Sequence, residues 1–293
     1  MSKNKKEHLK INSNEHLKLA KAPVEVEHLY SSEKHYKSLL ETNNALLDEY
    51  QTMLYAGHAK AMLIIFQGMD TSGKDGAIKH VMSGVNPQGC VVVSFKIPTA
   101  TDLDHDFLWR ENQALPARGQ IGIFNRSYYE EALITRVHPK ILAKEKLPIK
   151  KKPKNKFWQD RYQDIVNHEL YLHRQGYEII KIFIHISKDE QKKRLLERFD
   201  NPKKLWKISE GDFRERGFWE EYQSAYETCI NHTASKSCPW YVVPGDDKKN
   251  ARLIISQILV DRFKKMELKY PKLNPEDRLK LEKLKSSLDE KDK

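Results

Sequence analysis

The chain has 293 residues, and 52 lysines and arginines against 41 aspartates and glutamates give a formal net charge of +11. That length admits one large α/β domain or two small ones, with a core that needs no disulfide staples. A hydrophobic content of 39% excludes a disordered chain, and no apolar run approaches the roughly 20 residues of a membrane span. The positive surplus selects a polyanionic partner (nucleic acid, an anionic membrane surface or a phosphate-rich substrate) unless it serves solubility alone. The chain's start lacks the apolar stretch of a secretory signal. Cys90, Cys229 and Cys238 have no metal spacing and make a poor disulfide framework. A cytoplasmic location is therefore expected.

In chain order, residues 1–25 are polar and lysine-rich and read as an N-terminal arm. Apolar residues at every third or fourth position between Tyr30 and Tyr55 predict a helix. The run 61–66, ending at Gly68, reads as a buried parallel strand. A glycine-containing turn and a helix over 74–85 follow, and CVVVSF (90–95) is a second strand. A helical pattern covers 102–115, and IGIF (121–124) is a third strand. The lysine cluster of 144–156, interrupted by two prolines, is a loop. Helical spacing resumes at Trp158 and runs to Leu170, and 177–186 is a fourth strand. Ser187 and Glu190 form a capping-box pattern that opens another helix. Residues 199–216 are charged and turn-rich, 218–230 are helical, 239–244 form a fifth strand, and 247–268 a helix. Residues 269–293 are charged with spaced leucines and read as a tail that forms an exposed, fraying helix. Alternating strands and helices predict an α/β fold of three layers, a parallel sheet flanked by helices. One domain, 26–268, lies between the arm and the tail.

The sharpest motif is Gly68-Met69-Asp70-Thr71-Ser72-Gly73-Lys74, a G-x-x-x-x-G-K pattern between a strand and a helix. Its glycines let backbone N–H groups curl around an anion, the helix N-terminus adds its dipole, and Lys74 adds a point charge. Asp75 stands where Ser or Thr usually follows, so the hydroxyl that touches Mg²⁺ is absent. Asp70 is a carboxylate inside an anion-binding loop and would repel phosphate unless a cation intervenes. It reads as a magnesium ligand, as a group that activates an acceptor, or as an Asx-turn residue.

After the third strand, Asn125 occupies the place where a neighbouring strand in phosphate-loop folds often ends in an acidic metal ligand. Glu130, one helical turn on, could supply the missing charge, and Arg126 at the strand end faces the presumed phosphate region. Beyond the fourth strand, Arg194, Arg198, Lys204 and Lys207 sit in a segment placed like the lid of nucleoside monophosphate kinases, about 194–216. Arginines there would stabilise a transferring phosphoryl group electrostatically.

Taken together, GMDTSGKDG (68–76), KIPTATDLDHDFLWR (96–110), LPARGQIGIFNRSYYEE (115–131), RFDNPKKLWKISEGD (198–212), WEEYQSAYE (219–227) and PWYVVPGDD (239–247) resemble the polyphosphate kinase 2 family. The LDHDFLWR and FNRSYYE forms are similar to its class III, which accepts both AMP and ADP. The resemblance implies a P-loop kinase fold like that of thymidylate kinase, with a helical lid. The reaction it implies is reversible phosphoryl transfer between inorganic polyphosphate and purine nucleotides, AMP, ADP and also GMP or GDP. Mg²⁺ would be the cofactor, with Mn²⁺ as a substitute, held by Asp70, Asn125 and Glu130. Catalysis would fall to Asp70, Lys74, Arg126, Arg194 and Arg198. Phosphate would meet Gly68, Met69, Thr71, Ser72, Gly73, Lys74, Asp75, Lys79, Arg118, Lys204 and Lys207. The nucleotide would meet Lys96, Asn125, Arg126, Tyr129, Glu130 and Arg136. A homo-oligomer, dimer or tetramer, is implied, with neither nucleic acid nor membrane as partner. Lys150, Lys151, Lys152, Lys154 and Lys156 either extend a basic track for polyphosphate or form a solvated loop. An ATP-dependent nucleoside monophosphate kinase and a nucleic-acid-binding P-loop module are the competing readings.

Overall fold

The structure is a computed structural model that describes residues 8–13, 15–148 and 153–291. Its strands are β1 (Leu9–Ile11), β2 (Ala61–Gln67), β3 (Cys90–Ser94), β4 (Ile121–Asn125), β5 (Tyr177–His185) and β6 (Trp240–Pro244). They form one sheet in the order β1-β6-β5-β2-β4-β3. β2 is buried along its whole length, as an uninterrupted apolar run requires in a sheet covered on both faces. β2 to β6 are parallel, and β1 runs antiparallel to β6 with Ile11 opposite Trp240.

The helices are α1 (Glu33–Gly57), α2 (Lys74–Val81), α3 (Ala100–Leu103), α4 (Trp109–Gln113), α5 (Glu130–Val137), α6 (Pro139–Leu142), α7 (Asn155–Arg174), α8 (Lys188–Phe199), α9 (Glu210–Gly217), α10 (Trp219–Thr233), α11 (Lys248–Lys265) and α12 (Pro275–Lys291). Two mutually packed groups flank the sheet, α1 with α2 and α11, and α5 with α7 and α10. The expected three-layer α/β architecture is therefore present. Helix α12 keeps Leu279, Leu281, Leu284 and Leu288 exposed.

Two sequence expectations change. The N-terminal segment is not a free polar arm from Leu9 onward. It supplies strand β1 and buries Ile11, Leu17 and Leu19 in the main core. Its backbone is tied to α10, where Asn231 accepts from the Leu17 N–H at 2.7 Å and Glu227 from the Leu19 N–H at 2.7 Å. The helix expected over 102–115 is broken into α3 and α4. Thr99 and Asp102 form a reciprocal capping box for α3, and the Asp106 side chain accepts from the Leu108 N–H at 2.9 Å, so local side-chain bonds displace the continuous helix.

Because Ile11 carries the edge strand into the core, Ile11→Asp should cost about 2–4 kcal/mol of stability through a buried unpaired charge. Denaturant unfolding checks this, and kcat of the folded fraction should be unchanged.

Candidate active site

In an open parallel sheet, ligands bind beyond the carboxyl ends of the strands, where the connections diverge. Here β2 lies between β5 and β4, and the loop from Gly68 to Gly73 leaves its carboxyl end. The loop bends through left-handed conformations at Thr71 (φ 63) and Gly73 (φ 100). At Gly68 a Cβ would lie 2.7 Å from Ser72 Oγ and 2.8 Å from the Ile184 carbonyl oxygen, so only glycine fits.

Lys74 opens α2 and is buried. Its ammonium donates to the Gly68 carbonyl at 2.7 Å and to the Met69 carbonyl at 3.2 Å. Burial lowers its pKa to about 8, with Arg126 adding repulsion and Asp70, Glu130 and Asp75 opposing the shift. Arg126, with φ 66, donates to the Asp70 carboxylate at 3.0 Å. Glu130 and then Asp70 raise the pKa of its guanidinium against the effect of burial. The Asn125 amide donates to Asp75 at 2.7 Å, which couples the end of β4 to the first turn of α2.

Two cavities meet at the Asp70–Arg126 pair. One is a groove of about 640 Å³ running from the loop past Lys96, Arg198, Lys204 and Lys248 to Trp206. Thr71, Ser72, Gly73, Lys74, Asp75, Asn125 and Arg194 also line it. The other, of about 260 Å³, is bounded by Gly68, Met69 and Glu130, and has apolar and aromatic walls from Ile97, Ile134, Ile141, Tyr222 and Tyr226. His138 and Glu215 close its far side, 2.6 Å apart, and Tyr222 donates to Glu215 at 2.8 Å. Burial, and then Glu215, raises the pKa of Tyr222.

Several expected contacts lie elsewhere. Arg118 precedes β4 at the opposite end of the sheet and donates to the Gln175 carbonyl at 3.0 Å. Lys79 is exposed on the outer side of α2. Tyr129 is buried, with its hydroxyl on Glu169 at 2.7 Å. Arg136 donates to the Tyr162 hydroxyl at 2.6 Å and lies over Trp158. None of these four lines either cavity. The side chain of Lys207 and residues 150–152 lie outside the described part of the structure.

Arg194 is also not a free lid arginine. It is buried in α8, and its donors go to Glu190 (2.7 Å) and to the carbonyls of Thr71 (3.1 Å), Ser72 (2.9 Å), Gly245 (2.5 Å) and Asp246 (3.0 Å). It fastens the phosphate loop to the turn after β6. Arg198, one turn further on, points into the groove, with Asp212 at 3.9 Å. At the far root of the 199–217 segment, Arg216 donates to the Lys188 carbonyl at 2.7 Å and to Gln191 at 2.8 Å.

A phosphate loop after the central strand, a strand-end arginine beside it and a basic segment after β5 define a phosphotransferase of the P-loop kinase class. The chain belongs to the polyphosphate kinase 2 family, whose family model, described as Polyphosphate kinase 2, matches residues 30–271. It is 49% identical to an ADP-polyphosphate phosphotransferase of Rhodopseudomonas palustris, over 97% of this chain and 98% of that one. It is 42% identical to an AMP/ADP-polyphosphate phosphotransferase of Meiothermus ruber, over 78% and 81%. The solved structure of Polyphosphate Kinase 2 from Arthrobacter aurescens superposes with a TM-score of 0.82 at 38% identity, covering 94% of this chain and 95% of that one.

Lys74→Ala and Asp70→Ala should each lower turnover by at least about 10²-fold with the fold retained, as steady-state kinetics and circular dichroism would show. In the free enzyme Lys74 loses its charge as pH rises through about 8. The kcat/KM for the phosphate donor should therefore fall above that pH, a profile that kinetics across pH 6.5–9.5 checks.

Proposed function

We propose that the chain transfers phosphoryl groups reversibly between inorganic polyphosphate and purine nucleotides, with AMP and ADP as acceptors. One observation carries this reading. A basic groove built on the phosphate loop and a cavity with apolar and aromatic walls open onto the same Asp70–Arg126 pair. The groove suits a linear polyanion and the cavity suits a nucleobase. Their junction is where an acceptor phosphate would meet a donor phosphoryl group.

Loop amides and Lys74 would hold donor phosphates, and Lys96, Arg198 and Lys204 would extend the basic track. Arg126 would spread the charge of the transferring group, which is most of the catalytic work in phosphoryl transfer. An acceptor phosphate is already nucleophilic at neutral pH, so no protein nucleophile is needed. Arg194, with its donors engaged by carbonyls and Glu190, would act on the loop rather than on the phosphoryl group. The segment 199–217 would be the lid.

Mg²⁺ fits the donor set. Among the described residues no three His, Cys, Asp or Glu side chains converge into a cage made of protein alone. Mg²⁺ commonly takes one or two carboxylates and completes its shell with phosphate and water. Asp70 and Glu130 would hold it, with Asn125 nearby. When bound, it neutralises charge on the phosphate oxygens. Resemblance to the family extends the reading to a homo-oligomer working in the cytoplasm. Among the described residues no helix is long and apolar enough to cross a membrane.

The relative named for ADP alone favours a second reading in which ADP is the main acceptor. Incubation with Mg²⁺, polyphosphate and AMP, ADP, GMP or GDP separates the two. ATP formed from both AMP and ADP supports the first reading. ATP from ADP alone supports the second, and ATP formed only when another nucleoside triphosphate is supplied overturns both. Asn125→Asp would set a carboxylate against Asp75, which then requires a cation or a proton between them. It should shift the AMP/ADP ratio of kcat/KM by about tenfold or more, and an unchanged ratio would count against a role for Asn125 at the acceptor.

A further inference from the structure

Lys181 lies in the middle of β5, fully buried between apolar neighbours. All three donors of its ammonium are engaged. They reach Glu169 on α7 at 2.6 Å, the Thr233 carbonyl at 2.7 Å and the Tyr129 hydroxyl at 3.2 Å. The other carboxylate oxygen of Glu169 accepts from the hydroxyls of Tyr128 at 2.9 Å and Tyr129 at 2.7 Å. A buried ion pair is seldom more stabilising than apolar side chains of the same volume, so its value lies in what it holds in place.

What it holds is the turn after β4. Tyr128 and Tyr129 stand between Arg126 and Glu130, and both rings are completely buried. Beyond the close packing of the core, hydrogen bonds to a charged acceptor fix the depth of both rings. The turn also contains Arg126 at φ 66, a conformation that persists in a residue with a side chain only when its surroundings enforce it. Other ties hold the backbone of the turn, two of them to β2, where the Gln67 amide also donates to Ser127 Oγ at 3.5 Å. The Arg126 N–H donates to the Phe66 carbonyl at 3.0 Å, and the Tyr129 N–H to Ser127 Oγ at 3.2 Å.

We propose that Glu169 and Lys181 are positioning residues for phosphoryl transfer. Through the hydroxyls of Tyr128 and Tyr129 they lock the strand-end turn, so that the Arg126 guanidinium stays on Asp70 at the junction of the two cavities. The inference rests on the reading that Arg126 meets the transferring group.

The test is a double-mutant cycle. Tyr128→Phe/Tyr129→Phe removes the tether but keeps ring volume and the ion pair. It should remain cooperatively folded and lose about tenfold or more in kcat, with KM for polyphosphate and nucleotide within about threefold. Added to Arg126→Ala it should cause no further loss of kcat, because both changes remove the same contribution. A kcat within about twofold of the unmodified enzyme, or losses that multiply with that of Arg126→Ala, would overturn the proposal. If Arg126→Ala alone leaves kcat unchanged, the role assigned to Arg126 fails instead, and the positioning role with it. A second pair of variants tests the ion pair itself. Glu169→Leu/Lys181→Met should reproduce the kcat loss, and Glu169→Gln/Lys181→Met, which keeps an acceptor for the tyrosines, should restore most of it. Equal activity of those two would overturn the route through the hydroxyls. Should either of them fail to fold, the tyrosine cycle decides by itself.

Discussion

A carboxylate inside a loop built for anions has to be neutralised before the loop can do anything else. Asp70 obtains its counter-charge from Arg126, a residue 56 positions later in the sequence, at 3.0 Å. That requirement ties the turn after β2 to the turn after β4. It sets the groove and the cavity side by side and draws Lys74 and Glu130 into one electrostatic unit. The acidic members hold the pKa of Arg126 up, while burial and the neighbouring guanidinium push that of Lys74 down. Such a unit is poised for added negative charge on one side and for a cation on the other.

The cations behind the positive surplus do not all face a substrate. Lys96, Arg198, Lys204 and Lys248 line the groove. Others are spent inside the protein. Lys181 and Arg194 are buried in hydrogen-bond networks, and Arg161 is buried between Phe107 and Phe157 with its guanidinium on Glu145 at 2.6 Å. Net charge alone therefore overstates what is available to a substrate, because buried cations act on the fold and exposed ones on the ligand.

The order of strands and helices and the phosphate loop were legible because each is encoded locally, in an apolar run, a glycine spacing or a capping residue. Arg118 lies away from the site because it precedes β4, at the end of that strand opposite Asn125 and Arg126, and a segment-level resemblance carries no strand direction. Tyr129 shares a motif with Arg126 and Glu130, and Arg136 shares helix α5 with Glu130, but both turn away from the cavities, onto Glu169 and Tyr162. The strand of the N-terminal segment has only three residues, too few to show a period. A lysine amid the isoleucines of 179–184 was a signal in plain view, but its partner Glu169 looked like any helix carboxylate. The apolar walls of the second cavity come from elements far apart in sequence, so no short motif could announce them.

The two clamps described for the 199–217 segment have a mechanical consequence. Arg194 anchors α8 to the phosphate loop and to the turn after β6. Glu215 and Arg216 anchor the other root to His138, Tyr222, Lys188 and Gln191. If the proposed lid closes over the groove, its pivots would lie inside these anchors, between residues 195 and 214. Such a movement would carry Arg198, Lys204 and Trp206, which line the groove, and leave the anchored floor of the site in place. The phosphate loop would then act as a fixed anvil, with only the basic rim above it free to travel.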